Sequence, residues 1–84
     1  MEVKIYTTTL CPYCKMAKNL LRKKGVAYEE FNVESDASAA KEMAAKSNQM
    51  GVPVLDINGK IIVGFDRQAI EKALASEPQN SEAI

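Results

Sequence analysis

Two cysteines three residues apart carry the clearest chemistry in this chain. The stretch Cys11-Pro12-Tyr13-Cys14 follows a short apolar run and opens a run with helical periodicity. In the first turn of a helix, two cysteines with this spacing lie on the same face and are close enough to form a disulfide. Pro12 suits the first helical position, because a backbone N–H would have no helical partner there. The pattern therefore indicates a redox dithiol that can open and close without refolding the chain.

The position of Cys11 at the helix start predicts an unequal pair of sulfurs. Free amide N–H groups and the helix dipole lower the pKa of a cysteine at a helix N-terminus from its usual value of about 8.5. A sulfur of low pKa also leaves a mixed disulfide faster when a second thiol attacks. We therefore expect Cys11 to be the attacking and leaving thiol. We expect Cys14 to be buried, protonated until it is needed, and the resolving thiol.

Different uses of two cysteines remain open at this point. A structural disulfide would close a very short loop, whereas the stabilisation from a disulfide grows with the length of loop that it closes. A zinc site within one molecule would need four N or S ligands, and the chain has two cysteines and no histidine. Zinc bound between two chains, or a pair of inert buried cysteines, would also be compatible with the pattern. We expect no metal.

Length and charge limit the classes of function. The chain has 84 residues, of which 46% are hydrophobic, enough for one domain with one modest core. We expect that domain at residues 1–76 and a flexible tail at 77–84. Eleven basic and eleven acidic residues give no net positive charge to attract a nucleic acid backbone, so no nucleic acid partner is expected.

The expected location is the cytoplasm. Met1 is not followed by a charged and then apolar leader, and no apolar run approaches the roughly 18 residues of a membrane span. We therefore expect no membrane contact. We also expect the protein to be a monomer. In a reducing compartment, a pair of cysteines is more often catalytic than structural.

The rest of the chain predicts alternating strands and helices. Gly25 should end the first helix, Asn48 should lie near the end of the second, and Asn58-Gly59 is the strongest short signal for a hairpin turn. Strands are predicted at 3–7, 26–33, 54–57 and 60–63, and helices at 12–24, from Ser35 or Asp36 to about Asn48, and from Asp66 to before Pro78.

Three segments in this order carry a family resemblance. They are Tyr6-Thr7 leading into the dithiol, Gly51-Val52-Pro53-Val54, and Gly64-Phe65-Asp66 at the last helix. Together with the order β-α-β-α-β-β-α, they make the chain resemble the glutaredoxins of the thioredoxin superfamily. The resemblance implies an α/β, thioredoxin-like fold: a four-stranded mixed sheet with the first and last helices on one face and the middle helix on the other.

The implied function is that of a thiol-disulfide oxidoreductase in electron transport and cell redox homeostasis. Such an enzyme reduces protein disulfides or glutathione mixed disulfides through its dithiol, with glutathione as electron donor and disulfide-containing client proteins as partners. In similar proteins the proline before the third strand is cis and faces the dithiol. We carry this onto Val52 and Pro53, so that the Val52 backbone would pair with an extended peptide or glutathione.

Further substrate-binding residues are expected around the dithiol and the last helix. Free amides at Gly64, Phe65 and Asp66 would receive a substrate carboxylate. Asp66 would accept from a glutathione amino group or only cap the helix, and Phe65 would contact substrate or only fill the core. Pro12 and an exposed Tyr13 would lie beside the substrate, unless Tyr13 is a surface aromatic without function.

A basic stripe on the first helix is predicted to be a solvated face. Lys15, Lys18 and Arg22 follow helical spacing, and Lys15 is near enough to the dithiol to favour a thiolate or attract an anionic tripeptide.

The electron donor is open between two classes. Many similar glutathione-using proteins carry a lysine where this chain has Thr7-Thr8-Thr9, and a Gly-Gly pair with two acids where it has Val63-Gly64-Phe65-Asp66-Arg67. The Gly-Phe step instead resembles the ribonucleotide-reductase-associated redoxins, which take electrons from thioredoxin reductase. The Pro-Tyr centre of the dithiol favours glutathione.

Two further hypotheses come from different classes of protein. One is an iron–sulfur module, with a cluster held between two chains by Cys11 thiolates and two glutathiones. The second is a regulatory interaction protein whose dithiol is incidental. The client proteins and the reduction potential are not encoded in any pattern of the sequence.

Overall fold

The computed structural model describes residues 2–75 and contains the seven predicted elements in the predicted order. The strands are β1 (Val3–Thr7), β2 (Glu29–Asn32), β3 (Val54–Ile57) and β4 (Lys60–Val63), and the helices are α1 (Pro12–Lys23), α2 (Ala37–Ser47) and α3 (Arg67–Ala75). The predicted tail at 77–84 lies outside the described residues.

The four strands form one mixed sheet in the order β2-β1-β3-β4. β1 runs parallel to β2 and antiparallel to β3, which in turn is antiparallel to β4. The register pairs Tyr6 with Phe31 and with Val54, and Val54 with Val63. The C-terminal ends of β1, β2 and β4 and the N-terminal end of β3 therefore meet at one edge of the sheet.

Each face of the sheet is covered by helices, which confirms the expected layers. On one face, α1 and α3 pack against the sheet in a cluster that includes Leu20, Leu21, Ile70 and Leu74. On the other face, Met43 of α2 belongs to a second cluster, with Tyr6, Ala39 and Val54. The sheet therefore lies between two hydrophobic clusters, one on each face.

The helix ends follow the local sequence signals. Gly25 has φ +69°, and the N–H groups of Gly25 and Val26 donate to the carbonyls of Arg22 and Leu21, which satisfies the last turn of α1. Asp36 caps α2 through a bond from the Ala39 N–H, and Asn48 ends this helix in the left-handed region.

The prediction of a strand over 26–33 was too long. β2 starts at Glu29, because the N–H of Val26 is used in the end of α1 rather than in the sheet. Val26 and Tyr28 instead pack half-buried against the core beneath α1.

The hairpin prediction at Asn58-Gly59 is confirmed. Both residues have positive φ, and β3 and β4 pair across the turn. None of the helices within residues 2–75 is long and apolar enough to cross a membrane.

Candidate functional site

The dithiol lies at the start of α1, directly after β1. Cys11 is the N-cap residue, in an extended conformation, and Pro12 is the first helical residue, as predicted. Cys11 and Cys14 form a disulfide, with their Cα atoms 5.2 Å apart. The Cys14 N–H donates to the Cys11 Sγ over 3.1 Å. The sulfur of Cys11 therefore occupies the place that a capping oxygen takes in other helices.

The two cysteines differ in accessibility. Cys11 is 9% exposed, whereas Cys14, in the first turn of α1, is 1% exposed. The first turn of α1 carries no acidic side chain, and Lys15 beside it is exposed. The surroundings of Cys11 therefore hold an amide donor and no acidic side chain in the first turn, which favours a negatively charged sulfur.

The loop before the dithiol is fixed by contacts that the sequence reasoning missed. The Thr9 N–H donates to Glu34 Oε1 over 2.9 Å, and Asn32 Nδ2 donates to Thr9 Oγ1 over 3.1 Å. These bonds tie the loop to the end of β2, which lies beside the end of β1. Only the parallel pairing of β1 and β2 brings the residues together, so neighbours along the sequence carry no signal for them.

The Val52-Pro53 segment lies at the same edge of the sheet as the dithiol. The peptide bond between Val52 and Pro53 is cis, as the resemblance implies, and Pro53 is buried. The Pro53 carbonyl accepts from the Gly64 N–H over 2.7 Å, so the second and third predicted segments are in direct contact. Within residues 2–75, neither backbone group of Val52 takes part in a hydrogen bond.

Each residue of the segment Gly64-Phe65-Asp66, which leads into α3, has a structural role. Gly64 has φ +81°, a conformation that favours glycine. Phe65 is half-buried against the core, and Asp66 Oδ1 accepts from the Ala69 N–H over 3.1 Å, which caps α3. The structural roles considered for Phe65 and Asp66 are therefore present, and their contacts with substrate stay predictions.

The basic stripe of α1 is only partly a solvated face. Lys18 donates over 3.0 Å to Glu30 Oε2, which also accepts from the buried Thr7 hydroxyl over 2.8 Å. Burial acts to raise the pKa of Glu30, but the hydrogen bonds from Thr7 and Lys18 outweigh it and hold that pKa below its ordinary value. Arg22 donates to Asn19, whereas Lys15 has no ion pair with any other described residue.

Comparison with known proteins identifies the family. The glutaredoxin family model matches residues 3–62. A glutaredoxin-like 8.6 kDa protein of the rubredoxin operon of Clostridium pasteurianum, itself described as uncharacterized, is 43% identical over 72 residues, which cover 86% of this chain and 96% of that protein. The chain belongs to the glutaredoxin family.

Other relatives agree with this assignment. Glutaredoxin 3 of Escherichia coli strain K12 is 41% identical over 65 residues, covering 77% of this chain and 78% of that protein. The structure of the glutaredoxin-like protein NrdH-redoxin from Escherichia coli superimposes with a TM-score of 0.78 at 26% identity, covering 86% and 93% of the two chains. With its paired cysteines at the helix start, this glutaredoxin is a thiol-disulfide oxidoreductase with the predicted thioredoxin-like fold.

Proposed function

We propose that this glutaredoxin reduces protein disulfides and glutathione mixed disulfides in the cytoplasm, with Cys11 as nucleophile and Cys14 as resolving thiol. The observation that carries the proposal is the hydrogen bond from the Cys14 N–H to the Cys11 Sγ. This donor belongs to the helix backbone, so it remains in place when the disulfide is reduced. It favours the thiolate of the more accessible sulfur.

The reaction has two exchange steps. The Cys11 thiolate attacks one sulfur of the client disulfide, that S–S bond breaks, and the other client sulfur leaves as a thiolate. The Cys14 thiol then loses its proton and attacks the Cys11 Sγ, which releases the client's second sulfur. The products are two client thiols and the Cys11–Cys14 disulfide present in the structure. A donor supplies two electrons to restore the dithiol.

Substrate binding is proposed at the sheet edge next to the dithiol. The free N–H and C=O of Val52 would pair with the backbone of an extended substrate, such as a client peptide or glutathione. Pro12 and the exposed Tyr13 would flank it, and Pro53, which the Gly64 N–H contacts, would hold Val52 in place. Phe65 and Asp66 would close the far side, with Asp66 accepting from a glutathione amino group in addition to its capping bond.

Glutathione is the proposed electron donor, and thioredoxin reductase is the second candidate. The Pro-Tyr centre and the similarity to Glutaredoxin 3 of Escherichia coli support glutathione. The similarity to NrdH-redoxin, whose structure is described as accounting for a thioredoxin-like activity profile, supports a flavoenzyme donor with ribonucleotide reductase as a client.

A paired donor assay tests the proposal. The substrate is a peptide bound to glutathione through a mixed disulfide, and NADPH oxidation is followed with either glutathione plus glutathione reductase or thioredoxin reductase alone. We expect rapid turnover with glutathione. Turnover only with thioredoxin reductase would overturn the choice of donor, and no turnover with either donor would overturn the reductase function.

A further inference from the structure

An open groove runs along α1 away from the dithiol. It has a volume of about 180 Å³ and is closed on its other side by the segment that leads into α3. Its lining residues are Met16, Asn19, Leu20, Lys23, Phe65 and Arg67. None of the contacts described for Cys11 and Cys14 involves these residues.

The groove has an apolar floor that continues the surface of the dithiol. Tyr13 lies between the two cysteines and is 61% exposed, and Met16, one turn further along α1, is 45% exposed. Leu20 follows one turn later, and Phe65 contributes the opposite wall. Positions three and four apart share a face of a helix, so Tyr13, Met16 and Leu20 form one continuous apolar line.

The rim of the groove is basic. Among the residues that the structure describes, the lining contains no acidic side chain, and Lys23 makes no ion pair. The nearby carboxylate of Glu71 is shared between Arg67 Nε at 3.0 Å and Lys24 Nζ at 3.6 Å. Among the described residues, Lys23, Lys24 and Arg67 at this end of the groove are balanced only by Glu71, so a net charge of two positive units is left over.

We propose that this groove docks client proteins that carry an apolar side chain followed by acidic residues beside their reducible disulfide. The inference rests on the proposed disulfide reductase function and specifies the clients of that site. The apolar floor would bury the client's hydrophobic side chain, and the carboxylates would meet Lys23 and Arg67. Such charge complementarity mainly raises the rate of association and selects partners.

The length of the groove fixes where these client residues lie. Along a helix that rises about 1.5 Å per residue, Met16 is about 8 Å and Lys23 about 18 Å from Cys11. An extended client advances about 3.3 Å per residue. Its apolar residue therefore lies about two or three residues from its cysteine, and its acidic residues about five or six.

Matched peptides test the docking proposal. Each peptide has one cysteine in a mixed disulfide with 2-nitro-5-thiobenzoate. On each side of this cysteine, a leucine lies about three residues away. Two glutamates in one peptide, or two glutamines in the other, lie about five residues away on each side. The reduced protein attacks the peptide sulfur and releases the coloured thiolate, so the second-order rate constant is read directly.

Lys23→Gln and Lys41→Gln form the variant pair, because both lysines are exposed helix residues and Lys41 lies on α2, on the opposite face of the sheet. We expect the glutamate peptide to react about threefold faster than the glutamine peptide with the unaltered protein at low salt. Lys23→Gln should reduce this preference without changing the rate for the glutamine peptide, and Lys41→Gln should retain the full preference. Replacing the leucine by serine should slow both peptides.

The contrary outcomes separate the two proposals. The docking proposal would be overturned if the protein reduces cystine but reacts equally fast with the two peptides. It would also be overturned if Lys41→Gln loses as much of the preference for the glutamate peptide as Lys23→Gln does. Failure to reduce cystine as well as both peptides would overturn the reductase function, and the docking proposal with it.

Discussion

At the scale of single residues, the two cysteines are distinguished by their backbone surroundings. Cys11 is the N-cap, accepts from the Cys14 N–H and reaches the surface, whereas Cys14 is buried in the first turn. The sequence predicted this difference because a helix start beside a proline is a local feature. It could not predict the tie between Thr9 and Glu34, which depends on the pairing of two strands.

Serine substitutions test the unequal roles. Cys11→Ser should lower disulfide exchange by several orders of magnitude, because the nucleophile is lost. Cys14→Ser should perform the first step and then stop as a mixed disulfide with the client, while still removing glutathione from glutathionylated substrates. Rates and intact masses of the products measure both effects. Equal activity in the two variants would refute the assignment.

At the scale of elements, a charged group ties α2 to the sheet. Lys46 of α2 donates to Asp56 of β3 over 2.6 Å and to the hydroxyl of the buried Tyr6 of β1 over 3.0 Å, and its partner Glu42 lies at 3.4 Å. Burial acts to lower the pKa of Lys46, but the hydrogen bonds with Asp56 and Tyr6 outweigh it and raise that pKa. The chain has eleven basic residues, and no pattern distinguishes Lys46 from the others in advance.

The same contact has a consequence for stability in acid. Burial acts to raise the pKa of Asp56, but the bonds from Lys46 and the Gly59 N–H outweigh it and hold that pKa below its ordinary value of about 3.9. The carboxylate therefore contributes stability above the unfolded pKa, and this contribution is lost as the pH falls through the lower folded value.

Lys46→Met should lower the free energy of unfolding by about 2 kcal/mol near neutral pH, since it leaves the Asp56 carboxylate without its main partner. The difference from the unaltered protein should shrink as the pH falls through the folded pKa of Asp56. Urea unfolding at a series of pH values measures it. Lys41→Met, at an exposed position of the same helix, should change the stability by less than about 0.5 kcal/mol. A deficit that does not depend on pH would contradict this account.

At the scale of the whole molecule, topology gathers distant segments into one site. The dithiol follows β1, Pro53 precedes β3 and Gly64 follows β4, and the register brings all three to the same edge of the sheet. The helices, their caps and the hairpin were predictable, because each depends on residues close in sequence. The predicted start of β2 was wrong because the Val26 N–H donates to the Leu21 carbonyl at the end of α1 and is therefore not available to the sheet.

The groove and the ion pairs mark the limit of sequence reasoning. Lys18 was assigned to a solvated face, but it meets Glu30 across the boundary between α1 and β2. Similarly, Lys23 and Phe65 are remote in sequence and line one groove only because α1 and α3 pack on the same face. Such contacts follow from the packed arrangement of elements rather than from any one element.

The central claim is that the backbone at the start of α1 holds the Cys11 sulfur as a thiolate. The direct test is the titration of Cys11 in reduced Cys14→Ser, followed by thiolate absorbance and by the rate of alkylation against pH. We expect an apparent pKa at least one unit below the ordinary value of about 8.5. A sulfur that titrates at or above that value, and stays unreactive at neutral pH, would contradict the account.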